Sequence, residues 1–443
     1  MTQRLGTSLS AGALALTSWL SCALALPACG GTHAGVDGGA SDAAMDAYAP
    51  PADGGAPDMS ADAAASDLSL DGAAQDLALH DASLDLDVVD AEQDGGVEPP
   101  HNYVFVTGAR FAPTTIASAQ NADALCNAAA AAGDPRLAGR TYIAWVSDST
   151  TDARDRLGDA SGWQRLDGLP FVLSRDTLLG SSAHLYYPPR LDENGVDVVL
   201  TDTAMDTQAQ ATYFATGTGP SGTVGNNCND WTSGVSSYTG GLADATGSSW
   251  SSTLGGACSI EARLLCLGVD FATPIRAPRP PTGSERAVFA ASGVGLTGPT
   301  GVAALDALCQ SQASTAGFTG TYRALVAVPG ASALSRFTAE GGPWLRTDGA
   351  VAVSDPSTFL TNGVPDTALA TFRADGTPVF TSVATGAATL LTPGSDATTC
   401  AGYTSDAGSD TYAGAHSWRT HPRLLGALQV PCSSLTSVIC MAR

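Results

Sequence analysis

Cysteine is the residue type in this chain best supplied for chemistry, because a thiol can act as nucleophile, metal ligand or crosslink. Ten cysteines are present, and eight of them fall into two sets of four: Cys126, Cys228, Cys258 and Cys266, then Cys309, Cys400, Cys432 and Cys440. Intervals of 102, 30 and 8 residues in the first set are answered by 91, 32 and 8 in the second. No Cys-x-x-Cys pair and no Cys/His cluster at zinc spacing competes for them, so the even division fits a disulfide framework built in an oxidising compartment. Catalytic signatures are missing: there is no Gly-x-Ser-x-Gly elbow and no His-Glu-x-x-His pair, and the chain reads as a non-enzyme. His416 and His421 lie five residues apart without a carboxylate partner, which reads as surface loop rather than as a metal site. No cofactor is expected.

The elements that must position these cysteines recur with them. Tyr103-Val104-Phe105-Val106 has the β-branched and aromatic content of a strand, and Ala287-Val288-Phe289-Ala290 is its counterpart. An Ala-rich helix follows in each copy, carrying Asp-Ala-Leu-Cys at 123–126 and again at 306–309. A strand is predicted at Thr141–Trp145 and at Thr321–Leu325. Trp-x-Arg-x-Asp-Gly then recurs unchanged at 163–168 and 344–349, beside a turn, where a buried Trp, an Arg–Asp pair and a Gly at positive φ would serve the fold. Gly168 to Gly195 and Gly349 to Gly376 each span 27 residues, which places the length difference between copies in a loop near 200–211. The final third of each copy is rich in Gly, Ser and Thr and reads as irregular chain held by a crosslink.

Charge is distributed unevenly. Residues 30–100 hold 14 Asp, 2 Glu and no Arg, residues 101–270 hold 17 acids against 9 Arg, and residues 271–443 hold 10 of each sign. Lys is absent. No basic face is available for nucleic acid or heparin. Within residues 29–100 too little apolar surface exists to offset chain entropy, so a disordered, extended acidic tether is expected. Its Asp81, Asp85 and Asp87 lack the glycine turn and terminal Glu of an EF-hand loop. The Pro-rich segment 271–284 reads as a semi-rigid linker between domains at 101–270 and 285–443.

Residues 1–28 have the polar start and apolar run of a signal peptide. Leu26-Pro27-Ala28-Cys29 resembles the lipobox of bacterial lipoproteins, which implies cleavage before Cys29 and diacylation of its thiol, with membrane lipid as the partner. Ordinary secretion is the alternative. Gly30 lacks the Asp associated with inner-membrane retention, which leans the expected address towards the outer membrane.

The order of strand, cysteine-bearing helix, Trp and Gly signals, loop-rich region and apolar last strand ending in a cysteine resembles the C-type-lectin-like fold. It is closer to the endostatin-like branch, which includes a bacterial lipoprotein domain family of unknown function. The resemblance implies an α+β fold used twice in tandem, and the pairs Cys126–Cys266, Cys228–Cys258, Cys309–Cys440 and Cys400–Cys432. Four cysteines per copy otherwise leave three connectivities open. It also implies binding or adhesion to a protein or glycan. The Glu-Pro-Asn and Trp-Asn-Asp sugar motifs of calcium-dependent lectins are absent; Asn229, Asp230, Trp231 and Trp250 are the nearest candidates for a ligand site, and calcium-dependent sugar binding is the lesser alternative. A structural envelope protein without a dedicated ligand is the other alternative.

Overall fold

The computed structural model describes residues 100–180, 185–201, 213–293, 301–407, 411–420 and 428–443. Cys29, the tether, most of the 200–211 loop and His421 lie outside the described residues. Both copies belong to one compact unit.

Each copy builds one sheet on the same plan. In the first, β1 (Asn102–Val106), β2 (Tyr142–Ala144), β3 (Trp163–Gln164), β4 (Pro170–Val172), β5 (Tyr213–Ala215), β6 (Ser237–Leu242), β7 (Thr253–Ala257) and β8 (Arg263–Gly268) are arranged β4-β3-β1-β8-β5-β6-β7, with β2 also paired to β8. In the second, β9 (Ala287–Ser292), β10 (Tyr322–Ala324), β11 (Trp344–Arg346), β12 (Val351–Val353), β13 (Ser382–Ala384), β14 (Thr411–His416), β15 (Leu428–Pro431) and β16 (Ser437–Ala442) repeat that order strand for strand. Apolar β1 and β8 are buried along their whole length and run antiparallel at the centre, Phe105 opposite Cys266, as Phe289 stands opposite Cys440. The apolar runs Val104–Val106 and Leu264–Leu267 fit strands covered on both faces.

The Ala119–Ala132 helix is capped by Ser118, whose hydroxyl accepts from Asn121 N at 3.1 Å. Its buried residues Ala119, Ala122, Cys126 and Ala130 form one helical face against the sheet. The four disulfides join Cys126 to Cys266, Cys228 to Cys258, Cys309 to Cys440 and Cys400 to Cys432, the pairing that the resemblance implies. The long crosslink of each copy thus ties its helix to its last strand.

The shared Asp of Asp-Ala-Leu-Cys has a mechanical role. Asp123 accepts from Ala144 N at 2.8 Å and pairs with Arg156, while Asp306 accepts from Ala324 N at 3.0 Å and pairs with Arg336. Trp-x-Arg-x-Asp-Gly is likewise structural. Trp163 Nε1 donates to Gly268 O at 2.8 Å and Trp344 Nε1 to Ala442 O at 2.7 Å, both indoles being buried. Arg165 pairs with Asp167 and Arg346 with Asp348, and the closing glycines sit at φ +81° and +94°.

The copies meet along a seam with approximate two-fold symmetry. Gly240 faces Ala215 and Gly414 faces Ala384, which makes Asp244, Ala245 and Thr246 the equivalents of Trp418, Arg419 and Thr420. Ala245 pairs antiparallel with Arg419, its own equivalent. Thr246 N donates to Trp418 O at 2.9 Å, and Thr420 N returns the bond to Asp244 O at 3.0 Å. Such an exchange defines an isologous contact. The buried Asp244 carboxylate also accepts from Arg419 Nε at 2.9 Å. Further along, Arg346 Nη2 donates to Tyr186 O at 3.2 Å and Tyr187 Oη accepts from Val351 N at 2.6 Å. Burial pushes the Tyr187 phenol up to about 12. The Pro-rich linker packs against both copies: Ile275 N donates to Leu173 O at 3.0 Å, and a side chain at Gly349 would strike Arg279 O at 2.5 Å.

Candidate functional site

Four consecutive residues, Cys228, Asn229, Asp230 and Trp231, have φ between +53° and +65° and form one turn of left-handed helix. Side chains with a Cβ resist this conformation by about 1–2 kcal/mol per residue. The surroundings hold it. Cys228 is crosslinked to Cys258, Asn227 caps Asp230 N at 3.1 Å, and the buried Trp231 donates through Nε1 to Ser147 O at 3.1 Å. Gly217, at φ +56°, leaves room for the indole, since a Cβ there would lie 2.7 Å from Trp231 Cζ2. The second copy repeats the turn at Cys400–Tyr403, with Thr399 as cap and Tyr403 Oη donating to Ala327 O at 3.0 Å. Trp and Tyr therefore reach the equivalent carbonyl from equivalent backbone positions.

What differs is the outer side of the turn. Asn229 and Asp230 stand where the second copy has Ala401 and Gly402. Asn229 is exposed and donates to Thr232 Oγ1 at 3.1 Å. Asp230 is half-buried and accepts from Ser149 N and Ser149 Oγ, both at 2.6 Å, and from Asn227 Nδ2 at 3.0 Å. It thereby fastens the 147–152 loop, in which Asp148 accepts from Thr150 N and Thr151 N at 2.9 Å. Burial would raise the Asp148 carboxyl, but the bonds from Thr150 and Thr151 outweigh it and hold the group below the usual carboxylate range. Ser149 and Ser147 went unrecognised in the sequence, although the polar run 147–152 was visible; their partners lie about 80 residues away in the chain. Asp230→Ala is expected to lose about 1.5–3 kcal/mol of stability, measurable by chemical denaturation, and to expose the 147–152 loop to proteolysis.

The structure separates the four candidate ligand residues. Trp231 and Trp250 are interior, at 0% and 2% exposure, Trp250 lying 5.3 Å from Trp145 and 5.6 Å from Phe171 between ring centroids. Asn229 and Asp230 are brought to the surface of the turn, above Trp231. Trp250 belongs to the core beside the seam. Among the described residues no three His, Cys, Asp or Glu side chains group as a metal site.

His416 lies against Trp418, ring centroids 4.5 Å apart, with Nδ1 buried and unpartnered. Burial, then repulsion from Arg419, lowers its pKa from the ordinary 6.5. A histidine depressed on folding contributes full stability above its unfolded value and loses it as pH falls through its folded value. The second copy is therefore expected to weaken below about pH 6.5, and His416→Gln should flatten that part of the stability profile.

No protein-family model matches the chain. A search of curated proteins returns no match.

Proposed function

We propose that this chain is a lipid-anchored cell-envelope protein, held through Cys29 in the outer membrane, that presents two C-type-lectin-like modules for binding or adhesion, at 101–270 and 285–443. The acidic tether would carry the modules away from the bilayer. All eight cysteines of the copies are consumed in disulfides, which supports an oxidising address and leaves no thiol for catalysis. No helix among the described residues is long and apolar enough to cross a membrane, so attachment in this reading rests on the lipid.

The observation that carries the binding reading is one left-handed turn used twice with different outer residues. Turn, cap, crosslink and buried aromatic are common to both copies, whereas Asn229 and Asp230 belong to the first alone. A structural spacer needs the common parts only. The ligand is a protein or glycan; a calcium-dependent sugar is the lesser reading.

Glycan arrays and envelope pull-downs with the secreted chain, in calcium and in chelator, test this. Binding that Asn229→Ala weakens supports the reading, and loss in chelator selects the calcium-dependent form. If every interaction is unchanged by Asn229→Ala and by Asp230→Asn, the chain is a spacer and the binding assignment fails.

A further inference from the structure

The two copies differ at one place where a side chain present in the first is replaced by open space in the second. The turn Asp192–Gly195 in the first copy, closed by Gly195 N donating to Asp192 O at 2.9 Å, corresponds to the turn Arg373–Gly376, closed by Gly376 N donating to Arg373 O at 3.0 Å. Glu193 is thus the equivalent of Ala374. The strand register makes Gly108 the equivalent of Ser292, and the helix cysteines make Gly133 the equivalent of Ala316.

In the first copy Glu193 closes the gap between the turn, the end of the helix and the end of β1. Its Oε2 accepts from Gly108 N at 2.6 Å and its carbonyl accepts from Asp134 N at 2.8 Å. Gly108 makes room for its carboxylate, since a Cβ there would lie 2.9 Å from Oε1, and Gly133 makes room for the backbone of the turn, since a Cβ there would lie 2.4 Å from Glu193 O. In the second copy Ala374 stops at Cβ, and a cleft of about 330 Å³ opens between Ser292, Gln312, Ala316 and the Arg373–Asp375 turn.

The charge at the rim changes as well, from Asp192 and Glu193 in the first copy to Arg373 and Asp375 in the second. Asp192 of the first copy accepts from Asn194 N and Val196 N within its own turn, while its equivalent Arg373 is exposed and, after the bonds from Thr377, helps through space to hold the Asp375 carboxyl below the usual range. Asp375 does not offset this fully, because its carboxylate is turned back to Thr377 N at 2.9 Å. Gln312 Nε2 already donates to Ser292 O at 2.8 Å and retains a second N–H. A carboxylate bound here would meet the donors of Ser292, Gln312 and Arg373. The cleft runs into a wider groove of about 570 Å³ between the linker prolines Pro278, Pro280 and Pro281 and the rings of Tyr186 and Phe318.

We propose that this cleft binds a carboxylate on a short aliphatic arm, as in a glutamyl side chain or a small dicarboxylate, in the position that Glu193 fills internally in the first copy. The body of the ligand lies along the proline wall, which offers apolar surface and no N–H donors at its prolines. The proposal requires neither lipid on Cys29 nor a ligand at the 227–231 turn.

Calorimetric titration of the full secreted chain with glutarate, with an N-acetylated, C-amidated Ala-Glu-Ala peptide and with its Ala-Gln-Ala counterpart tests it. The glutamyl peptide or glutarate should bind, with the glutaminyl peptide about tenfold weaker or worse. Tighter binding of the peptide assigns a peptide ligand; tighter binding of glutarate assigns a free dicarboxylate. Arg373→Gln, an exposed change that the fold tolerates, should weaken binding about tenfold. Ser292→Gly with Ala316→Gly and Ala374→Glu rebuilds the first copy's closed arrangement and should abolish binding. No heat from either carboxylate up to millimolar concentration, or affinity unchanged in both variants, overturns the proposal.

Discussion

Replacing Cys126 and Cys266 together by alanine is expected to cost the protein about 5 kcal/mol, the entropy of a closed loop of this length in the unfolded chain. The crosslink spans 140 residues and ties the Ala119–Ala132 helix to β8, the strand that pairs with β1, β2 and β5. Cys228 and Cys258 enclose only 30 residues, for which the same reasoning gives about 3.6 kcal/mol. That pair also holds a left-handed turn, so its loss should change local structure as well as stability. Guanidinium unfolding followed by Trp fluorescence measures both, and near-ultraviolet dichroism should report Trp231 in the second variant alone. A larger loss from the short crosslink than from the long one would mean that collapse of the turn and its contacts, rather than loop closure, dominates.

Arg346→Met is expected to destabilise by about 3–5 kcal/mol, because it removes the cation paired with a buried acid. The Arg346 guanidinium is fully buried and Asp348 is 8% exposed. The same guanidinium also donates to Ala368 O at 3.1 Å within its copy and to Tyr186 O at 3.2 Å across the seam. Arg165→Met should cost less, about 1–3 kcal/mol, since Asp167 keeps 36% of its side chain in water and is hydrated when its partner leaves. Denaturation midpoints of the two variants test the order. Equal losses would show that the cross-seam bond and the deeper burial of Arg346 add nothing.

Much of the scaffold was legible because it was written twice. Val104 and Phe105 carry the composition of a strand, Asp123 and Asp306 recur beside their cysteines, and Trp-x-Arg-x-Asp-Gly has a spacing that only a turn satisfies. Comparison of the copies therefore found the frame, and the structure supplied its reasons, among them the Asp123–Arg156 and Asp306–Arg336 pairs. The candidate site was less legible. Trp231 and Trp250 lie in Gly-, Ser- and Thr-rich chain without periodicity, so nothing local signals that they face inward. Three successive non-glycine residues in the left-handed region after Cys228 contradict ordinary propensity and are sustained by Ser147, Ser149 and Gly217, which are distant in sequence. The seam was invisible for a further reason. Asp244 stands where the second copy has Trp418, and Arg419 where the first has Ala245, so a comparison that looks for identity passes over the pair that they form.

The carboxylate cleft was hidden in the same way. Glu193 against Ala374 is an unremarkable difference between two aligned loops until Gly108 is seen to accommodate the longer side chain. Differences between the copies thus mark both the seam and the surfaces to which function is assigned.

Detergent phase partition of cells expressing the wild-type chain and Cys29→Ser tests the central functional claim, that these modules are held at a membrane by lipid on one residue. The wild type should enter the detergent phase and incorporate labelled fatty acid, while Cys29→Ser should be released unlabelled into the aqueous phase. Retention of Cys29→Ser in the membrane fraction would contradict the claim.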